Sequence, residues 1–570
     1  MTSLTVSTAI SSGRVQLVNV RQYTLLVAKL RVWFVVAAFT FIGVVALFRI
    51  AWLGVSGDGA DSRGMVGLPP RGEIVDRNGV PLARAFPAYS LWYNPKALGD
   101  GPALVKSPAE VAAALVAIFP DEDYAKLKAR LASGKPQYLR RRIMPEDANR
   151  IHLLGEPALE FPRESERYYP QGSMAAHVLG LIGSNGHGRL GMEAVLDKQL
   201  ADPAARGAPA VLSLDSRVQG ALEDELLKGM HLSNARGAGG IVLDVDTGEV
   251  LALASLPSYN PNLIDPASVP NIFNRVTNQV YELGSVMKPI TVATAIEAGV
   301  ITDMAKRYPA GPLQIGGFTI HDSHNFGASL NVPEALIHSS NIVTAQVADQ
   351  LGGPRLKATM EALGFNRRPD IELPAGFPIW RKGEWPRITT MTVSYGHGLA
   401  LTPMHLASAY AALVNGGIWR PATLRRLAPN EVPAGKRIWQ ASTSARMRQL
   451  LRMIVSVGTG RKADAAGYRV GGKTGSAEKA TGHGYAKSSL ITTFAAAFPM
   501  DKPRYVIIAM MDEPQGTVAT SGQRTAAWNA APVVGRVVPR IGPLLGIMPD
   551  ATRDVDISDL APLIGNGDGE

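Results

Sequence analysis

The sequence predicts an α/β chain of the α+β type. It is expected to hold an antiparallel sheet with helices packed on it, a mixed strand and helix domain before that sheet, and one N-terminal transmembrane helix. Three observations predict this. An uncharged apolar run stands near the N-terminus, hairpin patterns open and close the second half, and helical stretches lie between those hairpins. At 570 residues the chain is longer than one hydrophobic core supports, so more than one folded domain is expected. With 46% hydrophobic and 19% charged residues, the composition is that of a globular protein.

The apolar run comes first. Val32 to Phe48, VWFVVAAFTFIGVVALF, carries no charge. Continued through IAWLGV, it is long enough to span about 30 Å of hydrocarbon at roughly 1.5 Å per residue. Arg14, Arg21, Lys29 and Arg31 precede it, and the first acidic residue of the chain is Asp58. That asymmetry predicts a cytoplasmic N-terminus. The run is too long for the apolar core of a cleaved signal peptide, and no A-x-A site follows it. Arg49, near the far end, would snorkel to the interface. The expectation is a cytoplasmic segment 1–31, an anchor 32–55 and a Gly- and Asp-rich linker 56–70.

Residues 71–210 mix strands and helices. RGEIVDRNGVPLA places two apolar stretches around Asn78-Gly79, which predicts a type I′ hairpin. Ser107-Pro108-Ala109-Glu110 reads as a capping box with proline in the first turn. No catalytic grouping appears here, and Asp76, Arg77, Arg167 and Glu193 are read as ion-pairing residues. In residues 211–549, GGIVLDVDTGEVLALAS (Gly239 to Ser255) reads as strand, turn, strand, and TTFAAAFPMDKPRYVIIAMMD (Thr492 to Asp512) repeats that device. PITVATAIEAG, PEALIHSSNIVTAQVADQLG and HLASAYAALVNGG between them read as helical, the arrangement of a sheet covered by helices. The tail 550–570 is acidic and is expected to be mobile.

Net charge is +10, yet the basic residues form no long block, which argues against a nucleic-acid partner. The chain has no cysteine, which excludes disulfides, Cys-based zinc sites and a thiol nucleophile. The candidate nucleophile is a hydroxyl. In YELGSVMKPI (Tyr281 to Ile290), a helix starting near Ser285 would put Lys288 one turn on, on the same face. A neutral Lys288 in a low-dielectric or electropositive pocket would act as base to Ser285. The pattern alone is weak, because a serine before an apolar run also serves as a helix N-cap. A second S-x-x-K stands at Ser476 and Lys479, where the lysine reads as solvent-exposed. Ser-x-Asn occurs at Ser258/Asn260, Ser323/Asn325, Ser329/Asn331 and Ser339/Asn341. Lys473-Thr474-Gly475 is sharper: it offers a cation, a hydroxyl and a glycine that lets backbone approach closely, which suits a substrate carboxylate.

The order Ser-x-x-Lys, Ser-x-Asn, Lys-Thr-Gly is the signature of penicillin-recognising serine acyltransferases. The chain resembles the class B penicillin-binding proteins, from the anchor to about residue 535. RGEIVDRNGVPLA and RYYPQGSMAAHVLG with GMEAVLD resemble that family's elongated non-catalytic pedestal. SYGHGLALTPMHLASAYAALVNGG and VGTGRKADAAGYRVGGKTGSAEK resemble its transpeptidase domain, and favour the division type over the elongation type. Leu283 stands where proline is often found two residues before the serine, and Ser476 replaces the threonine usual after Lys-Thr-Gly; both changes keep the chemistry.

The resemblance implies a penicillin-binding transpeptidase fold and roles for particular residues. Ser285 would attack the penultimate D-alanine of a peptidoglycan stem, with Lys288 taking its proton. Ser339 would relay a proton to the departing D-alanine, and Asn341 would hold the substrate amide. Lys473 would supply positive potential. Thr474, Gly475 and Ser476 would form the substrate-binding strand, with the hydroxyls on the terminal carboxylate and the N–H groups of Ser285 and Ser476 as oxyanion hole. It implies no metal or organic cofactor. The implied partners are stem peptides on lipid II-derived strands, β-lactams as inhibitors, a glycan polymerase of the FtsW type with other division proteins, and the inner membrane. His321, His324 and His338 are left structural or substrate-lining. The rival readings are an elongation-type relative, a β-lactamase or carboxypeptidase, and a non-enzymatic β-lactam sensor or division scaffold. A β-lactamase needs a placed deacylation base, for which no motif is recognisable, and a sensor needs a larger cytoplasmic effector than residues 1–31.

Overall fold

The computed structural model describes residues 71–99, 101–205, 207–481 and 484–564, together with 29, 31–37, 39–41 and 43. The predicted anchor 32–55 lies largely outside the described residues, as do the linker 56–70 and most of segment 1–31. The described positions from 31 to 43 are helical. Among the described residues no helix is long and apolar enough to cross a membrane.

Strand β1 (Ile74–Val75) pairs antiparallel with the start of β2 (Pro81–Tyr93). The turn between them is not the expected type I′. Only Gly79 has a positive φ, of 83°, and Gly79 N–H donates to Asp76 O at 3.0 Å. The Asp76 carboxylate decides the matter, accepting the Asn78 and Val80 N–H groups at 2.8 Å each. An Asx-type clamp of this kind favours a right-handed turn closed by one left-handed glycine. Asp76 also takes the Ser216 N–H at 3.0 Å, so its role is hydrogen bonding rather than the expected ion pairing.

Ala88–Glu164 packs as one unit. Helix α1 (Pro108–Ile118) starts with the predicted capping box, Ser107 with Glu110. It shares a core with α2 (Tyr124–Ala132), β3 (Gln137–Ile143) and α3 (Pro145–His152), in which Leu91, Leu115, Leu131 and Ile151 are buried.

The second unit comprises Leu68–Pro87 and Ser165–Glu570. Within it, Glu193 is fully buried and accepts from Arg71 Nε at 2.7 Å and Arg167 Nε at 2.6 Å, so the Arg167–Glu193 pair stands as read. Strand β4 (Ala210–Val211) pairs parallel with β1, and α4 (Ser216–Leu232) follows. The main sheet is five-stranded and antiparallel. Its strands are β5 (Gly237–Asp244), β6 (Val250–Leu256), β7 (Gly471–Thr481), β8 (Gly484–Phe498) and β9 (Tyr505–Asp512), in the order β6-β5-β9-β8-β7. β7 is therefore an edge strand.

One face of this sheet is covered by α4 and by the C-terminal helix Ala530–Ile541, whose Val533, Val534, Val537 and Val538 are buried together with Ile507 and Phe494. The other face carries the helices that lie in sequence between the hairpins. Pro403–Val414 is buried at every position, as its nearly all-apolar sequence requires. The stretch PEALIHSSNIVTAQVADQLG forms two helices, Val332–Ile337 and Asn341–Leu351, because Ser339 turns left-handed at φ 63°.

The acidic tail is docked rather than mobile as far as residue 564. Asp554 takes a bidentate contact from Arg452 and Asp559 a single one from Arg446, both arginines lying on helix Ala441–Ser456. Leu560 is 1% exposed, and Leu563 O accepts from Asn331 Nδ2 at 2.6 Å. The acidity of the tail answers basic residues about a hundred positions earlier, a pairing its own composition does not reveal. Removing the Asp554 carboxylate leaves a largely buried Arg452 with less compensation. Asp554→Ala is expected to lower stability by about 1–3 kcal/mol in denaturant unfolding. Asp556→Ala, whose carboxylate serves only a local turn with Ser558, should change it by less than about 0.5 kcal/mol.

Candidate active site

Ser285 sits in a 3₁₀ turn, Gly284–Met287, that runs into helix Lys288–Glu297. Lys288 N–H donates back to Ser285 O, and three residues per turn bring side chains 285 and 288 onto one line. Ser285 is the N-cap of neither segment, since Leu283 precedes the 3₁₀ turn and Met287 the helix. The N-cap alternative is thereby set aside, and Ser285 is half-buried at a rim. Pro289 falls in the first turn of the helix, where its missing N–H breaks no hydrogen bond.

Two lysines converge on Ser339. Lys288 Nζ donates to Ser339 O in a short contact, and to Ser339 Oγ at 3.2 Å. Lys473 Nζ donates to Ser339 Oγ at 2.9 Å, Thr474 O at 3.0 Å and Thr474 Oγ1 at 3.3 Å. Both lysines are 0% exposed. Burial pushes the Lys288 amine well below the ordinary lysine range, the Lys473 charge pushes it further, and Asp322 partly opposes the fall. Burial alone brings Lys473 down to about 7.

Hydrogen counting fits these states. A neutral Lys288 has two N–H groups, both spent on Ser339, which leaves its lone pair open. A charged Lys473 has three, and three acceptors meet it. Ser339 Oγ accepts from both lysines, so its own O–H is free to donate. Among the described residues no hydrogen bond joins Ser285 Oγ to Lys288, and that hydroxyl remains available to the open lone pair.

Lys473-Thr474-Gly475 lies on the edge strand β7. Thr474 Oγ1 is 2.8 Å from Thr459 Oγ1. Ser476 Oγ accepts the Ala526 N–H at 3.1 Å, which leaves its O–H as a donor. A Cβ on Gly475 would stand 2.5 Å from Leu283 O, and one on Gly284 would stand 2.9 Å from Ser476 O. The edge strand and the Ser285 turn therefore touch backbone to backbone, next to Ser285 and Ser476. Asn341 Nδ2 donates to His321 O at 3.1 Å.

The structure thus brings Ser285, Lys288, Ser339, Asn341, Lys473, Thr474, Gly475 and Ser476 into one locality. It disperses the decoys. Ser258 binds Ser173 O, Asn325 caps a local turn, and Asn331 is the N-cap of Val332–Ile337. Lys479 is not a solvent lysine, since it pairs with Asp512 and Glu513 at 2.6 Å each. Three residues from Ser476 on a strand, it points to the opposite face. His338 stacks on Phe326 with ring centroids 4.9 Å apart.

Sequence reading missed three residues. Gly396 has φ 90°, and a Cβ there would come within 2.2 Å of Gly284 O, so only glycine lets this loop support the Ser285 turn. Thr459 touches Thr474. Asp322 holds the start of helix Asn341–Leu351. The repeated glycines of SYGHG and VGTG were a signal of close backbone approach, whereas Asp322 carried none.

Comparison with known proteins gives a consistent result. Residues 238–534 match the model of the penicillin binding protein transpeptidase domain, and residues 67–204 that of the penicillin-binding protein dimerisation domain. The chain is 38% identical over 525 residues to a probable peptidoglycan D,D-transpeptidase FtsI of Caulobacter vibrioides, covering 89% of this chain and 87% of that one. It is 30% identical over 562 residues to the peptidoglycan D,D-transpeptidase FtsI of Escherichia coli, covering 92% and 93%. A crystal structure of penicillin binding protein 3 from Mycobacterium tuberculosis complexed with aztreonam matches with TM-score 0.66 and 25% identity, covering 85% of this chain and 98% of that one.

The two lysines predict a pH profile with a defined sign. Lys288 must be neutral and Lys473 charged, so reaction with a penicillin should rise as Lys288 loses its proton. It should then fall as pH climbs through about 7, where free Lys473 loses its own. Stopped-flow acylation rates against pH check this. In Lys473→Arg, which stays charged, the alkaline limb should disappear.

Proposed function

The chain belongs to the penicillin-binding protein transpeptidase family, and from that premise we propose that it is a serine peptidoglycan D,D-transpeptidase that cross-links stem peptides at the division septum. The observation that carries the chemistry is the arrangement around Ser339. Lys288, with both N–H groups engaged there, offers its lone pair toward the Ser285 side of the turn. The Ser285 proton passes to Lys288 as Oγ bonds to the carbonyl carbon of the penultimate D-alanine. Hydrogen bonds in the apo state are often longer than in the reacting complex, and Ser285 closes on Lys288 when substrate binds.

The negative charge that develops on the carbonyl oxygen is met by the N–H groups of Ser285 and Ser476. The C–N bond to the terminal D-alanine then breaks, and that amine takes the Ser339 O–H proton while Lys288 returns the one it holds to Ser339. Thr474 and Ser476 donate their hydroxyls to the terminal carboxylate, under the positive potential of Lys473, and Asn341 orients the stem amide. In the second half, an amine from another stem attacks the acyl-enzyme carbonyl, the ester bond to Ser285 Oγ breaks as the cross-linking amide forms, and the proton lost by the amine passes to Ser285 Oγ. β-Lactams take the place of the D-alanyl-D-alanine end and leave the serine acylated.

Residues 32–55 serve as a single-pass anchor in the inner membrane, with the N-terminus cytoplasmic and residues 71–549 periplasmic. The hydropathy and the basic residues before the anchor support this. A glycan polymerase of the FtsW type is the partner, meeting the anchor and the pedestal domain 71–210.

A fluorescent penicillin should label the full chain covalently at Ser285, as peptide mass spectrometry would show. Ser285→Ala should abolish labelling, and Lys288→Ala should slow it by about 10²–10⁴-fold; labelling that persists in Ser285→Ala contradicts the assignment. In cells, depletion should give filaments with a tagged copy at septa, and rounded cells would instead mean an elongation enzyme.

A further inference from the structure

The hairpin Leu313–Ile315 with Phe318–Ile320 leads straight into His321 and Asp322. Its last residue, Ile320, is 5% exposed and packs with Ile342, Ala345, Met391 and Tyr395. The hairpin base is thus fixed against helix Asn341–Leu351 just where that helix begins. From there the Asp322 carboxylate reaches three groups. Oδ2 accepts from Ser340 Oγ at 2.5 Å, and Oδ1 accepts the Asn341 N–H at 2.5 Å and the Ile342 N–H at 3.1 Å.

The accounting of the helix start is then complete. The first N–H groups of a helix have no partner within it. Here Asn341 and Ile342 give theirs to Asp322, and Val343 gives its own to Ser340 Oγ at 3.1 Å. The His321 carbonyl holds the Asn341 side chain as well. Two consecutive residues therefore grip both Ser340 and Asn341. The residue just before them, Ser339, is held in the left-handed conformation at φ 63°, which is strained for a serine and persists only when its surroundings enforce it.

We propose that Asp322 is a positioning residue for acyl transfer, locking the turn Ser339–Asn341 so that Ser339 Oγ stays between Lys288 and Lys473. The proposal rests on the transpeptidase reading above. Its logic is that of a supporting shell. The relay hydroxyl must sit within hydrogen-bond reach of two amines that come from different elements, and a shift of about 1 Å in such a group costs on the order of 10²-fold. The strained turn cannot hold itself, and Asp322 supplies the outside brace. Its negative charge also acts on Lys288, against the fall caused by burial and by Lys473.

The test separates the acylation step from binding, using the full chain and a fluorescent penicillin. Asp322→Ala is expected to lower the first-order acylation constant about 10–100-fold, with the non-covalent dissociation constant changed less than about twofold. Asp322→Asn is expected to recover to within about threefold of the unsubstituted chain, because its Oδ1 can accept the two amides and its Nδ2 can donate to Ser340 Oγ. An acylation constant in Asp322→Ala equal to that of the unsubstituted chain overturns the proposal. So does an Asp322→Asn as slow as Asp322→Ala, which would assign the effect to charge. If Asp322→Ala does not fold, Ser340→Ala decides: it removes one leg of the brace, and its acylation constant should fall by an intermediate factor, no fall being contrary. Failure of the transpeptidase reading is visible separately, as an unsubstituted chain that penicillin does not label at Ser285.

Discussion

Two buried lysines share one serine hydroxyl, and the geometry of the rest of the site follows from that arrangement. A lysine ammonium inside a protein is costly unless it finds acceptors or gives up its proton. Two of them around a single Oγ cannot both remain charged without mutual repulsion, so their protonation states separate. Lys473, with three acceptors, is the one suited to keep its charge. Lys288, buried beside it with two, is the one driven to neutrality. The asymmetry gives a base and an electropositive group from the same residue type.

The fold provides this by bringing together three segments far apart in sequence. The 3₁₀ turn supplies Ser285 and Lys288, the break between two helices supplies Ser339, and the edge strand β7 supplies Lys473. An edge strand has one unpaired side, which is where an extended peptide substrate can lie. The contacts that fix the spacing are backbone contacts. Gly475 and Gly396 leave no room for a side chain between the strand, the Ser285 turn and the loop behind it. The docked tail adds a brace at the back, tying the N-cap of Val332–Ile337 and helix Ala441–Ser456 to one segment.

Much of this was legible in the sequence, and the reasons for the rest are physical. The order of the three motifs picked out residues that the fold brings together, because each is a local pattern of residue types. The hairpins at both ends and the helices between them gave the layered sheet. The Asn78-Gly79 turn was misread because its type is set by the Asp76 side chain, not by the two residues at the tip. Lys479 and the tail were misread for a common reason: their partners, Asp512, Glu513, Arg446 and Arg452, are remote in sequence. Asp322 left no trace, since a single carboxylate acquires its role only when the chain folds it against the motif. The anchor 32–55 rests on hydropathy and charge alone.

The central claim is that Lys288 is a neutral amine in the folded, unacylated protein at the pH at which it reacts. Carbon-13 NMR of lysine-labelled full-length protein, with the Lys288 Cε signal assigned through Lys288→Arg, measures this directly. The account predicts a Cε shift typical of a neutral amine at about pH 7, titrating well below the ordinary lysine value. A Lys288 that stays protonated up to about pH 10 would contradict it.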